Sequence, residues 1–228
     1  MNDLAQNLIE ELQCETVFTI PVLGGIPVSE AVVVTWIIMA VLVVIAFILT
    51  RNLKVDHISK RQAVAESIVT GLLNMVQGMV GEKGKAYVPY LTTVMLYIGV
   101  SNIIGLFGFK SPTKDLRVTV ALALMSIILI EAAGIYHKGV KLWLHGFVEP
   151  VAIVTPINIL EVVTKPLSLC MRLFGNVLGA FVIMELLKMI LPVGLPVVFS
   201  LYFDIFDGLL QAYVFVFLTS LYIDEITE

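Results

Sequence analysis

Cysteine is nearly absent: Cys14 and Cys170 are the only two in 228 residues, one in an acidic N-terminal stretch and one inside an apolar run. That scarcity excludes a disulfide framework and a thiolate metal site. Charge is also sparse, at 14% of residues against about 25% in an average soluble domain. A net charge of −4 without any basic run excludes a nucleic-acid partner. The three histidines, His57, His137 and His145, stand near the ends of apolar segments and read as interfacial residues. No HExxH pair, phosphate-cradling glycine loop or Ser-His-Asp set can be assembled, so neither a cofactor nor a catalytic centre is expected. A basic flank before the first apolar run is missing as well. Asp3, Glu10, Glu11 and Glu15 occupy that stretch instead, which argues against a secretory signal and for a retained outer polar tail over 1–30.

What the chain has in abundance is apolar surface, 59% of residues, against roughly 45–50% in a soluble domain. Several runs approach the roughly 20 residues that cross about 30 Å of hydrocarbon. The expected fold class is an all-α membrane protein, with 31–228 as a single membrane domain of about five membrane helices. Spans are expected at about 31–49, 86–109, 116–136, 147–190 and 197–223. Between the first two, Ile58, Ala65, Ile68, Leu72, Val76 and Val80 recur at intervals that predict an amphipathic helix over about 55–80. It suits a membrane surface, and a helix packed on a partner is the plainer alternative.

Basic residues are asymmetric along this plan. Arg51, Lys54, Lys60, Arg61, Lys83, Lys85, Lys138 and Lys141 fall on one side, while the opposite loop holds Lys110, Lys114 and Arg117. By the positive-inside rule the first side is cytoplasmic, which puts the N-terminus outside and the C-terminus in the cytoplasm. The 147–190 run is too long to stand upright, because 44 residues at about 1.5 Å each measure roughly 66 Å. It is either one strongly tilted helix or two pieces broken near Pro156 or Pro166; a single oblique element is the preferred expectation.

Ionisable residues within apolar spans cost from about 2.5 to more than 10 kcal/mol and so tend to mark ion or substrate paths. Here they are Glu131, Glu161, Lys165, Arg172, Glu185, Lys188, Asp204 and Asp207, with Asn158, Asn176 and Gln211 among them. At about 100° per residue, Glu161, Lys165, Arg172 and Asn176 share one helical face, and Asp204, Asp207 and Gln211 share another. Glu161 with Lys165, and Glu185 with Lys188, could be ordinary intrahelical ion pairs, and Asp204 and Asp207 could equally pair with Lys188 across helices. Arg172 has no acid three or four positions away, cannot shed its proton, and lies too deep to snorkel. Its counterion must come from elsewhere. Gly175 and Gly179 beside it allow close helix approach, by default for packing.

The stretch Pro166-Leu167-Ser168-Leu169-Cys170-Met171-Arg172-Leu173-Phe174-Gly175-Asn176 resembles the signature of subunit a of the F-type ATP synthase. Pro156-Ile157-Asn158, Pro112-Thr113 with Asp115-Leu116, and Leu210-Gln211-Ala212-Tyr213-Val214-Phe215 extend the resemblance over nearly the whole chain. It implies a non-catalytic stator subunit in a membrane, the bacterial plasma membrane, beside a c-subunit ring and b-type peripheral stalk subunits. Two offset half-channels would pass H+ or Na+ to and from ring carboxylates. Arg172 would separate them, with Asn176 and Gln211 at the family's polar positions. By depth, Glu185, Asp204 and Asp207 are assigned to the outer path, and Glu161 and Glu131 to the cytoplasmic one. Two departures stand out: Phe181 occupies a position that often carries Glu, and Arg117 one that more commonly carries Asn. Glu185, one turn beyond Phe181, could substitute. The alternatives are a secondary transporter or channel whose Arg172 binds an anionic substrate, although no inverted repeat is visible, and a passive scaffold whose buried charges pair internally.

Overall fold

The computed structural model describes residues 16–20, 26–51, 53, 59–107, 109, 111–146, 154–190 and 199–227. Apart from one hairpin it is helical, as the apolar runs predict. Strands β1 (Thr16–Ile20) and β2 (Ile26–Ser29) pair antiparallel, with an irregularity between Thr16 and Phe18. This hairpin falls within the stretch expected as a polar tail, and it runs directly into helix α1 (Glu30–Thr50). Helices α2 (Lys60–Gln77), α3 (Val88–Ile103), α4 (Leu116–Lys138), α5 (Val140–Gly146) and α6 (Thr155–Ile190) follow. A π-helical segment, Leu201–Asp207, then leads into α7 (Gly208–Thr227). Five helical stretches are long and apolar enough to cross a membrane, beginning at Glu30, Lys83, Leu116, Thr155 and Leu201.

Boundaries shift for physical reasons. Helix α2 starts later than expected, because the Ser59 hydroxyl accepts a bond from the Gln62 N–H and caps it. Only its C-terminal end is drawn into the core. Val76 and Val80 are buried, Ala65 and Leu72 are half-buried, and of the described residues of the expected stripe Ile68 alone is exposed, at 58%. The last helix runs to Thr227, past the expected end at 223, because Asp224 is used inside the structure. Its carboxylate accepts from the Gly81 N–H at 3.0–3.1 Å, while the Lys83 ammonium donates to the Thr227 carbonyl. Residues 147–153 and 191–198, Cys14, His57, and the side chains of Glu185 and Lys188 lie outside the described residues.

Helix α6 runs unbroken through Pro166, so the two-piece alternative does not hold. Pro156 sits in its first turn, where a missing N–H costs nothing. At about 1.5 Å per residue its 36 residues measure about 54 Å, nearly twice the hydrocarbon thickness.

Helix α4 is central, packing on both α6 and α7, and α3 covers α7 from the other side. Leu91 and Ile98 of α3, Ile130 of α4, Leu173 of α6 and Phe215 of α7 are buried in one apolar cluster. Gly134 of α4 lies so close to Ile226 that a Cβ there would approach its side chain to 2.8 Å. Asp115 joins the hairpin to this bundle. One carboxylate oxygen accepts from the Arg117 N–H at 2.9 Å and caps α4, and the other accepts from the Ser29 hydroxyl at 3.0 Å. Replacing Asp115 by Ala removes both bonds and leaves Ser29 buried without that acceptor. The expected loss is about 2 kcal/mol of stability, with a smaller loss for Asp115→Asn, measured by denaturant unfolding in detergent micelles.

Candidate functional site

The rotation of α6 is set by its apolar side. Leu169, Cys170 and Leu173 are 0–4% exposed, and the Cys170 Sγ lies 3.5 Å from the Thr119 hydroxyl of α4. The opposite side must then face away from the bundle. It carries Leu167 and Met171, both more than half exposed, together with Arg172, Gly175 and Asn176. Nothing lies within 4 Å of where a Cβ on Gly175 or Gly179 would project.

Arg172 therefore stands at the middle of a 36-residue helix on its outward face. Each end of the helix is about 26 Å away, far beyond the reach of a guanidinium. Among the described residues it has no hydrogen-bond or ion-pair partner. One turn further on, Asn176 donates to the Gln211 Oε1 at 2.6 Å, tying the outward face of α6 to the interior of α7. Gln211 is buried, and its Nε2 has no protein partner among the described residues; nor does the buried Ser101 hydroxyl on α3. Buried polar atoms of this kind are commonly satisfied by water.

At the start of the last apolar span, Asp204 and Asp207 lie on the π-helical segment. The Ser200 hydroxyl donates to Asp204 at 2.7 Å, and the carboxylate rests against Gly105, where a Cβ would come to 3.4 Å. Because an i→i+5 helix turns less per residue than an α-helix, the aspartates point further apart than the expected common face. The segment is anchored at its end: the Asn102 amide donates to the Gly208 carbonyl at 2.9 Å, and a Cβ on Gly208 would lie 2.8 Å from the Asn102 Cβ. Thr113 in turn donates to the Asn102 Oδ1, and Ser111 to the Ser101 carbonyl. Of this buried network, Ser101, Asn102 and Ser111 are not singled out by sequence reasoning. Their one signal is polarity at the end of an apolar span.

Phe181, the substituted position, lies under the Lys114 ammonium, which is 4.2 Å from its ring centre. An aromatic face in place of a carboxylate thus holds a cation by its quadrupole.

At the other end the structure brings Glu131 and Glu161 together. Both line a cavity of about 320 Å³, with Lys138, Lys165, Trp143 and Glu225. The Trp143 indole N–H donates to Glu131 at 2.9 Å. The intrahelical Glu161–Lys165 pair is present at 3.9 Å, but the tighter partner of Lys165 is Glu225 on α7, at 3.0 Å. Lys165 thus pairs internally, as a scaffold requires, whereas Arg172 has no such partner among the described residues.

A family profile described as ATP synthase A chain matches residues 32–224. ATP synthase subunit a of Moorella thermoacetica is 35% identical over 203 residues, 88% of this chain and 92% of that protein. The Propionigenium modestum protein named ATP synthase subunit a, sodium ion specific, is 34% identical over 87% of this chain and 74% of its own length. ATP synthase subunit a 1 of Chlorobaculum parvum is 33% identical over 90% of this chain and 91% of its own.

The Asn176–Gln211 bond yields a test independent of function. In a double-mutant cycle with Asn176→Ala and Gln211→Ala, unfolding in micelles should show a coupling energy of about 1 kcal/mol. Additive losses would mean that the two amides do not interact.

Proposed function

The chain belongs to the ATP synthase A chain family, and from that premise we propose that it is the ion-translocating, non-catalytic stator subunit of a rotary ATP synthase. As a member it is a multi-pass membrane protein and part of a larger complex. The observation that carries the proposal is Arg172, a permanent cation at mid-helix that faces outward with no described partner. A ring of c subunits on that face, each with a carboxylate at the same depth, supplies the missing counterion. At about 4 Å and an effective dielectric near 20 the attraction is roughly 4 kcal/mol, enough to favour ion release without holding the ring fast.

Two polar paths meet at this cation. The outer half-channel runs past Asp204, Asp207 and Glu185 toward Asn176 and Gln211, where unpartnered amide and hydroxyl groups favour ordered water. The cytoplasmic one opens through the cavity that holds Glu161 and Glu131. Arg172 keeps a cation from passing directly between them, so each ion must travel with the ring, and each charge that crosses carries about 2.3 kcal/mol per 100 mV. The transported ion is H+ or Na+, selected by the ring carboxylate, and no cofactor takes part. One crossing by each of the five apolar helices puts the hairpin and the end of α7 on opposite sides in this reading. The positive-inside pattern puts the hairpin outside and the C-terminus in the cytoplasm of a bacterial cell. The b-type stalk subunits and lipid cover the remaining apolar surface.

In vesicles with the assembled complex, Arg172→Ala should abolish ion-driven ATP synthesis and raise passive ion leak; preserved synthesis would reject the mechanism. Asparagine at Asp204 or Asp207 should lower the synthesis rate at least several-fold without raising leak, read from ATP formed per imposed ion gradient. Normal synthesis in both variants would remove the aspartates from the outer path.

A further inference from the structure

Lys165 lies two helical turns from Arg172, and seven residues at about 100° each bring it back to nearly the same face of α6, roughly 10 Å away. It also lines the cavity that holds Glu131 and Glu161. Along the helix axis it stands between Arg172 and Glu161. Its side chain is 19% exposed and is held from three sides. Glu225 of α7 is 3.0 Å away, Glu161 on the preceding turn is 3.9 Å away, and its ammonium lies 5.3 Å from the Tyr222 ring centre. The two carboxylates are about half exposed, at 56% and 51%, so water reaches them from the cavity side.

We propose that Lys165 is the electrostatic gate of the cytoplasmic path, held aside while it is clamped by Glu225. The inference rests on the half-channel reading and adds a residue to it. A fixed positive charge beside the path repels the transported cation, and the clamp sets how far that charge stands in the way. With the ammonium drawn toward Glu225, the passage from Glu161 into the cavity is least obstructed. An ammonium released from Glu225 has Glu161 as its remaining partner and lies across the passage. Glu225, which sequence reasoning treats only as a terminal acid, becomes a positioning residue.

The two members of the pair then have opposite effects, which a purely structural ion pair would not produce. The measurement is passive H+ and Na+ conductance through the membrane sector, in vesicles stripped of the catalytic head, normalised to assembled complex. Lys165→Met keeps an unbranched apolar stem and removes the charge; conductance should rise roughly five-fold or more, given a unit charge several ångströms from the path at an effective dielectric near 20. Glu225→Gln frees the ammonium, and conductance should fall by a similar factor. Lys141→Met, on an exposed helix and outside the cavity lining, should leave it unchanged. Changes of the same sign in both variants, or no change in either, would overturn the gate. If Lys165→Met fails to assemble, a conductance in Glu225→Gln that does not fall still overturns it. Arg172→Ala in the same vesicles separates the layers: leak there with no opposite effects at Lys165 and Glu225 removes the gate alone, whereas no leak removes the half-channel reading beneath it.

Discussion

A guanidinium that cannot lose its proton sits at the middle of a helix some 54 Å long, on the side turned away from its own bundle. In hydrocarbon that placement costs several kcal/mol at least. The cost is tolerable only where another molecule brings negative charge or water to the same depth. Most of what surrounds Arg172 follows from this one constraint. The apolar side of α6 is locked onto α4 through Leu169, Cys170 and Leu173, so the helix cannot rotate to bury the charge. Gly175 and the outward-projecting Gly179 leave room for a close neighbour.

The polar groups form two systems, one on each side of that cation. One is built on a π-helical segment pinned by Asn102 to Gly208 and runs to Gln211 and Asn176. Gln211, Asn102 and Ser101 in it are buried and neutral, suited to holding water. The other is a charged cavity in which Lys165 pairs with Glu225 and Glu161. On the proposed reading Arg172 opposes direct passage between the systems, which gives a physical reason for a permanent cation where a titratable one would be discharged.

Much of this plan is legible in the sequence because hydrocarbon imposes simple rules. Five spans follow from run length, Arg172 follows from a charge without a local partner, and the unbroken α6 follows from the lack of any polar loop near Pro166. The hairpin at Thr16–Ser29 is missed because a four- or five-residue strand leaves little periodicity beside an acidic stretch. The Lys165–Glu225 pair is hidden for a different reason: it depends on the axial register of α6 against α7, and local spacing offers only Glu161. The turn of Asp204 away from Asp207 arises from a π-helical segment, which a 100° rule cannot foresee. Phe181 is visible as a departure from the family pattern, but only the fold shows Lys114 over its ring. The family match leaves the transporter alternative without support.

The central claim is that Arg172's outward face is covered by a moving partner, and a cross-link tests it most directly. A cysteine at Gly175, in open space one turn from Arg172, would be paired with a cysteine beside the ring carboxylate in the assembled complex. Oxidation should join this chain to a c subunit and stop ion-driven synthesis, and reduction should restore it. A link that forms without affecting synthesis, or a cysteine at 175 that is reached only by lipid or a stationary subunit, would contradict the claim.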